Sequence, residues 1–434
     1  MATRVWLGGA VPSIEEKTFQ FVAPFLAEET ITVTIGSKSL VLTLGTGQVD
    51  VDEIAADVTD MINGGALNGT ESRTAIGTDV PEFYGVEATT DGVDTVTVTG
   101  PTSYRPIAIT MTTDSASGTI STTTVTSATG PNSANNATNW SGGAVPVDDD
   151  DIVFDHRASA SCLYHLDQLA TVTPASITID GFRYAIGLAD VNTDTPSKSH
   201  DEYLTTYLQL CAAGDSTETK VYINSPQSER IRLNTQDGQV TMLVESTGAR
   251  SGSEIASLMW LGTHASNAIT IRKGEVGIAI GNGQAATVAT LTLDEGGMAI
   301  CGDGATLTTV NNYGGRITAQ SNITTLSQTG GACWFKSGVG TAATLGTANI
   351  RGGTLYYESS GTLTTLTVNK GGRLDCRNDP SARTFTNVNL YAGSEFHDPD
   401  GSVTATNGFD LVQCSPTEVV FDVQQNKTWT PTSI

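Results

Sequence analysis

The densest group of chemically capable side chains is the run Asp148, Asp149, Asp150 and Asp151, with Asp155 close behind. Carboxylate oxygens at this density can hold a hard cation, which makes Asp148 and Asp150 candidate metal ligands. Four adjacent carboxylates cannot all converge on one ion, so a solvated turn is the competing reading. Asp190, Asn192 and Asp194 repeat the opening of a calcium loop and form a second candidate set. Thr195 and Pro196 stand where that loop needs glycine, and Asp201 replaces its closing glutamate. Both sets are weak, and no cofactor is expected.

Hydrolytic chemistry needs a nucleophile, a base and an orienting group, or a pair of facing carboxylates. His397, Asp398 and Asp400 look like such a cluster, but Asp398-Pro399-Asp400-Gly401 is also a strong turn sequence, and the turn reading is preferred. Asp294, Glu295, Asp303, Glu358, Asp375 and Glu395 are dispersed among faces and turns rather than paired. No catalytic residue is assigned and no enzyme activity is expected, glycan cleavage being the one enzymatic alternative. Six cysteines, Cys162, Cys211, Cys301, Cys333, Cys376 and Cys414, show no CxxC pair and no zinc-like spacing, so buried reduced thiols are expected.

The elements that position these groups are set by a repeat between Val288 and Asp398. Its copies read VATLTLDEGG, LTTVNNYGG, ITTLSQTGG, LGTANIRGG, LTTLTVNKGG and FTNVNLYAG, at a period of roughly twenty residues. Apolar residues lead each copy (Val288, Leu307, Ile323, Leu345, Leu363, Phe385) and recur three places on (Leu291, Val310, Leu326, Ala348, Leu366, Val388). A third position carries Leu293, Ile350, Val368 or Leu390, with Asn312 and Gln328 as polar exceptions. After each small-residue turn two further rows are apolar: Ala299, Ile317, Cys333, Leu355, Leu374 and Cys301, Ala319, Phe335, Tyr357, Cys376. Alternation of this kind is strand spacing, and no copy has room for a helix. The fold class is mainly β: a parallel β-solenoid, or β-helix, preceded by a small α+β module.

In chain order, residues 1–24 read as an extended arm, with Trp6 and Phe19 as anchors on another part of an assembly. Residues 25–128 read as a ββαβββ module with a helix over Val51 to Asn63, capped by Asp50 or Asp52 and ended by Gly64-Gly65. Residues 129–139 form a polar linker, and 140–434 the solenoid with irregular early coils and a cap using Phe421 and Trp429. Trp140, at the head of NWSGGAVP, is placed to plug the open end. Asp190 to Tyr207 is expected as a lateral loop.

The chain has 434 residues, 46 of them glycine, only 16% charged residues and a net charge of −24. Such acidity opposes nucleic acid and anionic lipid, so neither partner is expected. MATRVWLGGAVPSIEEK lacks the apolar core of a secretion signal, and folding in a host cytoplasm is the expectation.

TRVWLGGA, NWSGGAVP, LMWLGTHASNAITI, GATLTTV, TTLSQTGG and TNGFDLVQC together resemble a family of tailed-phage and prophage proteins encoded near virion structural genes. The resemblance implies a virion structural protein, a capsid-surface decoration or fibre component projecting a β-helix from the shell. A tail fibre or tailspike that binds a host glycan is the alternative, and a bacterial adhesin the third reading. The implied partner is the major capsid protein or another virion protein, with a host surface glycan as the alternative, and the location is the virion surface. An outward row of Ile300, Thr318, Trp334, Tyr356, Asp375 and Phe396 would leave an apolar stripe. Such stripes mark contacts, and a homotrimer buried along Ile300, Trp334, Tyr356 and Phe396 is expected.

Overall fold

The computed structural model describes residues 2–423 except 37, 47–48, 68–71, 74–82, 84, 103, 189–203, 212–217, 227–229, 249–254, 282 and 341. A parallel β-solenoid of about 11 turns dominates it. One 21-stranded sheet runs through the whole solenoid, every pairing within it parallel and most of them joining a strand to its counterpart one turn on. The repeat register is as the sequence spacing requires. Leu291, Val310, Leu326, Ala348, Leu366 and Val388 pair in one column, and Ala299, Ile317, Cys333, Leu355 and Leu374 in another. All are buried in a single core that extends from Trp6 to Val419.

From Ala286 onward each turn has three faces. The first face stacks Val288, Leu307, Ile323, Leu345, Leu363 and Phe385, the second the Leu291 column, and the third the Ala299 column. Outside the second face, Thr290, Thr309, Thr325, Thr347 and Thr365 stand in register, where β-branched side chains fit a pleated half-buried surface. Asn312 and Gln328 pair with each other inside the core, both fully buried. Their amides are used at the adjoining corner: Asn312 Nδ2 donates to the Ala332 carbonyl at 3.4 Å and Gln328 Nε2 to that of Gly331 at 3.3 Å. At Gly331 φ is +69°, and an added Cβ would collide with the Gly315 carbonyl of the turn below. The corner therefore requires glycine.

Two register details depart from expectation. The alternation of Ile269, Ile271, Val276 and Ile278 predicts Ile280 inside as well, but it is only half-buried because Ala279, at φ 48°, breaks the alternation, sending Ile280 to a small outer cluster with Tyr207, Ala256 and Met259. Phe396 pairs with Leu374 and lies fully inside: Leu390 to Phe396 is as long as Val368 to Leu374, so Gly393 matches Gly371 and Ser394 stands where the turn below has its second glycine, Gly372. A one-residue slip exchanges the faces of every following side chain.

The N-terminal stretch is divided between two structures rather than forming a free arm. Thr3–Val5 pairs in parallel with Asp151–Asp155 and is the first rung of the solenoid. Trp6 is fully buried, its ring centroid 5.1 Å from Trp140 and 6.1 Å from Phe154. Its indole N–H donates to the Ala160 carbonyl, as that of Trp140 does to Ala134. The plug expected of Trp140 alone is thus built from both indoles. Phe19 lies on Glu16–Val22, a strand between Thr95–Thr99 and Thr119–Thr126, and is fully buried within the module. Neither Trp6 nor Phe19 is available as an anchor on another chain.

The module holds two four-stranded antiparallel sheets and the helix Val51–Asn63, which buries Ile54, Val58, Met61 and Ile62. Its Ncap is Asp50, which supplies its carbonyl rather than its side chain, and Gly64 in left-handed geometry ends it. Thr119–Thr126, rich in Ser and Thr, forms an edge strand. Residues 129–139 do not behave as a loose tether. Asn139 is fully buried, accepts from Ala10 N–H and donates to the Gly130 and Ser133 carbonyls. Trp429 and most of the Asp190–Tyr207 segment lie outside the described residues, whereas Phe421 stacks on Phe396 at 5.2 Å.

Trp6 seals the core with little room to collapse, so Trp6→Ala should lower unfolding stability by about 3–5 kcal/mol, read by chemical denaturation. Substitution of exposed Val11 should leave it within about 0.5 kcal/mol.

Candidate functional site

The Asp148–Asp151 run is engaged within the chain. Asp150 is buried, takes the Arg4 guanidinium at 3.0 Å and accepts from the backbone N–H groups of Ala2 at 2.6 Å and Val147 at 3.3 Å. Burial opposes its ionisation, but these donors outweigh it and hold the carboxyl below its ordinary range. Asp148 accepts from Thr173 N–H and Asp151 from the Ser176 hydroxyl, so the candidate ligands diverge. The run fastens the first rung to the second. Asp190, Asn192 and Asp194 lie outside the described residues. Among the described residues no group of three or more His, Cys, Asp or Glu side chains is set to hold a metal ion.

The carboxylates screened for hydrolytic pairing largely meet cations instead. Arg272 lies 3.9 Å from Asp294, Lys336 pairs with Glu358 at 3.0 Å, and Arg373 lies 3.8 Å from Glu395. Asp375, buried, is gripped by Arg377 at 2.7 Å and Arg373 at 2.8 Å. Desolvation alone would raise its pKa; the Arg377 and Arg373 hydrogen bonds and charges prevail and lower it to about 2. His397 faces Glu395 at 3.2 Å and Asp422 at 3.4 Å. Asp398 points away from it, accepting from the backbone of Ser402 and Val403 and from the Ser402 hydroxyl, as a turn-former does. All six cysteines are free and five are buried; burial pushes the Cys301 and Cys376 thiols up to about 12.

The outward row on the third face reads Ile300, Thr318, Trp334, Tyr356, Asp375, His397 and Asp422. His397 takes the place expected of Phe396. Trp334 and Tyr356 are half-buried and stack on each other, centroids 5.1 Å apart and planes 8° from parallel. The apolar stripe is therefore shorter than its sequence spacing implies, ending where Asp375 and its two arginines begin.

A second surface feature follows the second face. Arg351, Asn369, Tyr391 and Val412 each occupy the first position after the strand in successive turns, and each donates its backbone N–H to a carbonyl of the turn below at 2.7–3.0 Å. With Lys370, Ala392 and Gln413 they line an open cleft of about 360 Å³. Sequence reading missed it, although the residues just after each strand, aligned by turn, carry the signal.

Comparison of the chain with protein-family models, curated proteins and solved structures finds no match.

A carboxylate whose folded pKa is depressed contributes stability above its unfolded value, near 3.8, that is lost as pH falls toward about 2. Acid unfolding of the wild type should steepen across that window. Asp375→Asn should be less stable at neutral pH and show a shallower loss below pH 3.8, as followed by circular dichroism.

Proposed function

We propose that this chain is a structural protein of a tailed-phage virion, a decoration or fibre component in which the solenoid projects as a stiff shaft. The observation that carries this reading is the continuity of the stack. One core and one parallel sheet run from Thr3–Val5 to Val420–Val423, about 11 turns. At about 4.8 Å per turn that is a rod of roughly 50 Å. The module enters and leaves beside the first rung, since Ser13 and Thr129 bridge each other there. It sits at one end of the rod, as an attachment domain would. The phrase-level resemblance to virion proteins supplies the setting, and the fold is also consistent with tailspike-like proteins. Folding in the host cytoplasm and display on the virion surface belong to the same reading.

Quantitative mass spectrometry of purified virions separates the two placements. Copy number commensurate with the major capsid protein is expected; a small multiple of the tail's symmetry would assign the chain to the tail, and absence from virions would remove the proposal.

The half-buried Trp334 and Tyr356 favour self-association along the third face as a homotrimer. Sedimentation equilibrium should give three chains for the wild type and one for Trp334→Asp/Tyr356→Asp, with the fold retained. A monomeric wild type would contradict it.

A further inference from the structure

We propose that the corner cleft lined by Arg351, Asn369, Lys370, Tyr391 and Gln413 binds a carboxylated sugar. This site is independent of the shaft role and of where on a virion the chain is mounted. Its size falls in the range of small-ligand clefts, about 300–1,000 Å³. Its charge runs against that of the molecule: the chain carries −24, yet the lining contains two cations and no carboxylate. Elsewhere on the same solenoid Arg272, Lys336, Arg373 and Arg377 are each taken up by a neighbouring Asp or Glu. Lys220, Lys273 and Arg316 are exposed without an ion pair among the described residues, but Arg351 and Lys370 stand together in one cleft. Arg351 and Lys370, both exposed, have no ion-pair partner among the described residues. A guanidinium left free in a concave site is suited to bidentate capture of a carboxylate, with the ammonium adding a second charge.

The remaining lining selects a sugar over a bare anion. Tyr391 offers an aromatic ring for the apolar face of a pyranose, and the Asn369 and Gln413 amides both donate and accept, as sugar hydroxyls require. Successive turns set these groups about 4.8 Å apart, close to the width of one sugar ring. The backbone beneath them is fixed by the ladder hydrogen bonds of Arg351, Asn369, Tyr391 and Val412, so binding would order side chains only.

The test uses the full chain with tetragalacturonate as the probe, in titration calorimetry at low salt. Tetragalacturonate should bind, its methyl ester at least tenfold more weakly. Arg351→Gln/Lys370→Gln should abolish binding without changing thermal unfolding, while Arg316→Gln, exposed on the third face and outside the cleft, should bind as the wild type does. Tyr391→Ala, which removes no charge, should weaken binding severalfold. Equal binding by the double variant, no binding up to about 10 mM, or inorganic sulfate competing equally with Tyr391→Ala unaffected would each overturn the proposal.

Discussion

A parallel stack leaves the backbone groups of its end strand unpaired and its core open, and the need to cover that end shapes this chain. Every interior turn is covered through the register of its repeat. The first turn cannot be, because nothing in the solenoid segment precedes Asp151–Asp155. Thr3–Val5 supplies the missing strand from far away in sequence, and Trp6 with Trp140 covers the end of the core. Closing so long a loop costs conformational entropy that grows only slowly with length. Buried apolar area and the Asp150 hydrogen bonds offset it.

This placement explains why acidic residues crowd at the junction. Asp148, Asp150 and Asp151 receive donors from two segments: Thr173 and Ser176 on one side, Ala2 with Arg4 on the other. A cluster that looks like a cation site in one dimension is a fastening of three strands in space. The same holds at Asp375, where two arginines of its own turn keep a buried carboxylate charged. Several charges on the solenoid are thus matched within or between adjacent turns, whereas Arg351 and Lys370 stand together, without carboxylates, in one corner cleft.

The interior of the repeat was legible in the sequence because its signal is periodic. Leu291, Leu326, Leu366 and their columns lie where spacing puts them, and the helix from Val51 to Asn63 follows from its own apolar period. What escaped was aperiodic or distant. Phe396 lies inward because Ser394 replaces the second glycine of its turn and shifts the apparent register by one, Ile280 lies outward through one left-handed alanine, and no local pattern announces that Trp6 packs on Trp140 and Phe154, far along the chain. The Thr119–Thr126 strand was hidden by composition, since a Ser/Thr-rich edge strand with no buried residue has no alternation to show. The corner cleft was hidden differently, by lying on residues just beyond each strand, where attention to core positions does not reach.

Native-state hydrogen exchange resolved by residue tests most directly that the N-terminal strand is an integral rung. The amides of Asp151 and Trp6, which donate to Ala2 and Val153 across that pairing, should exchange together, with protection close to that of Ile177 and Ile179 in the next strand. Exchange of Trp6 at the rate of an unstructured peptide, while Ile177 and Ile179 stay protected, would contradict the account.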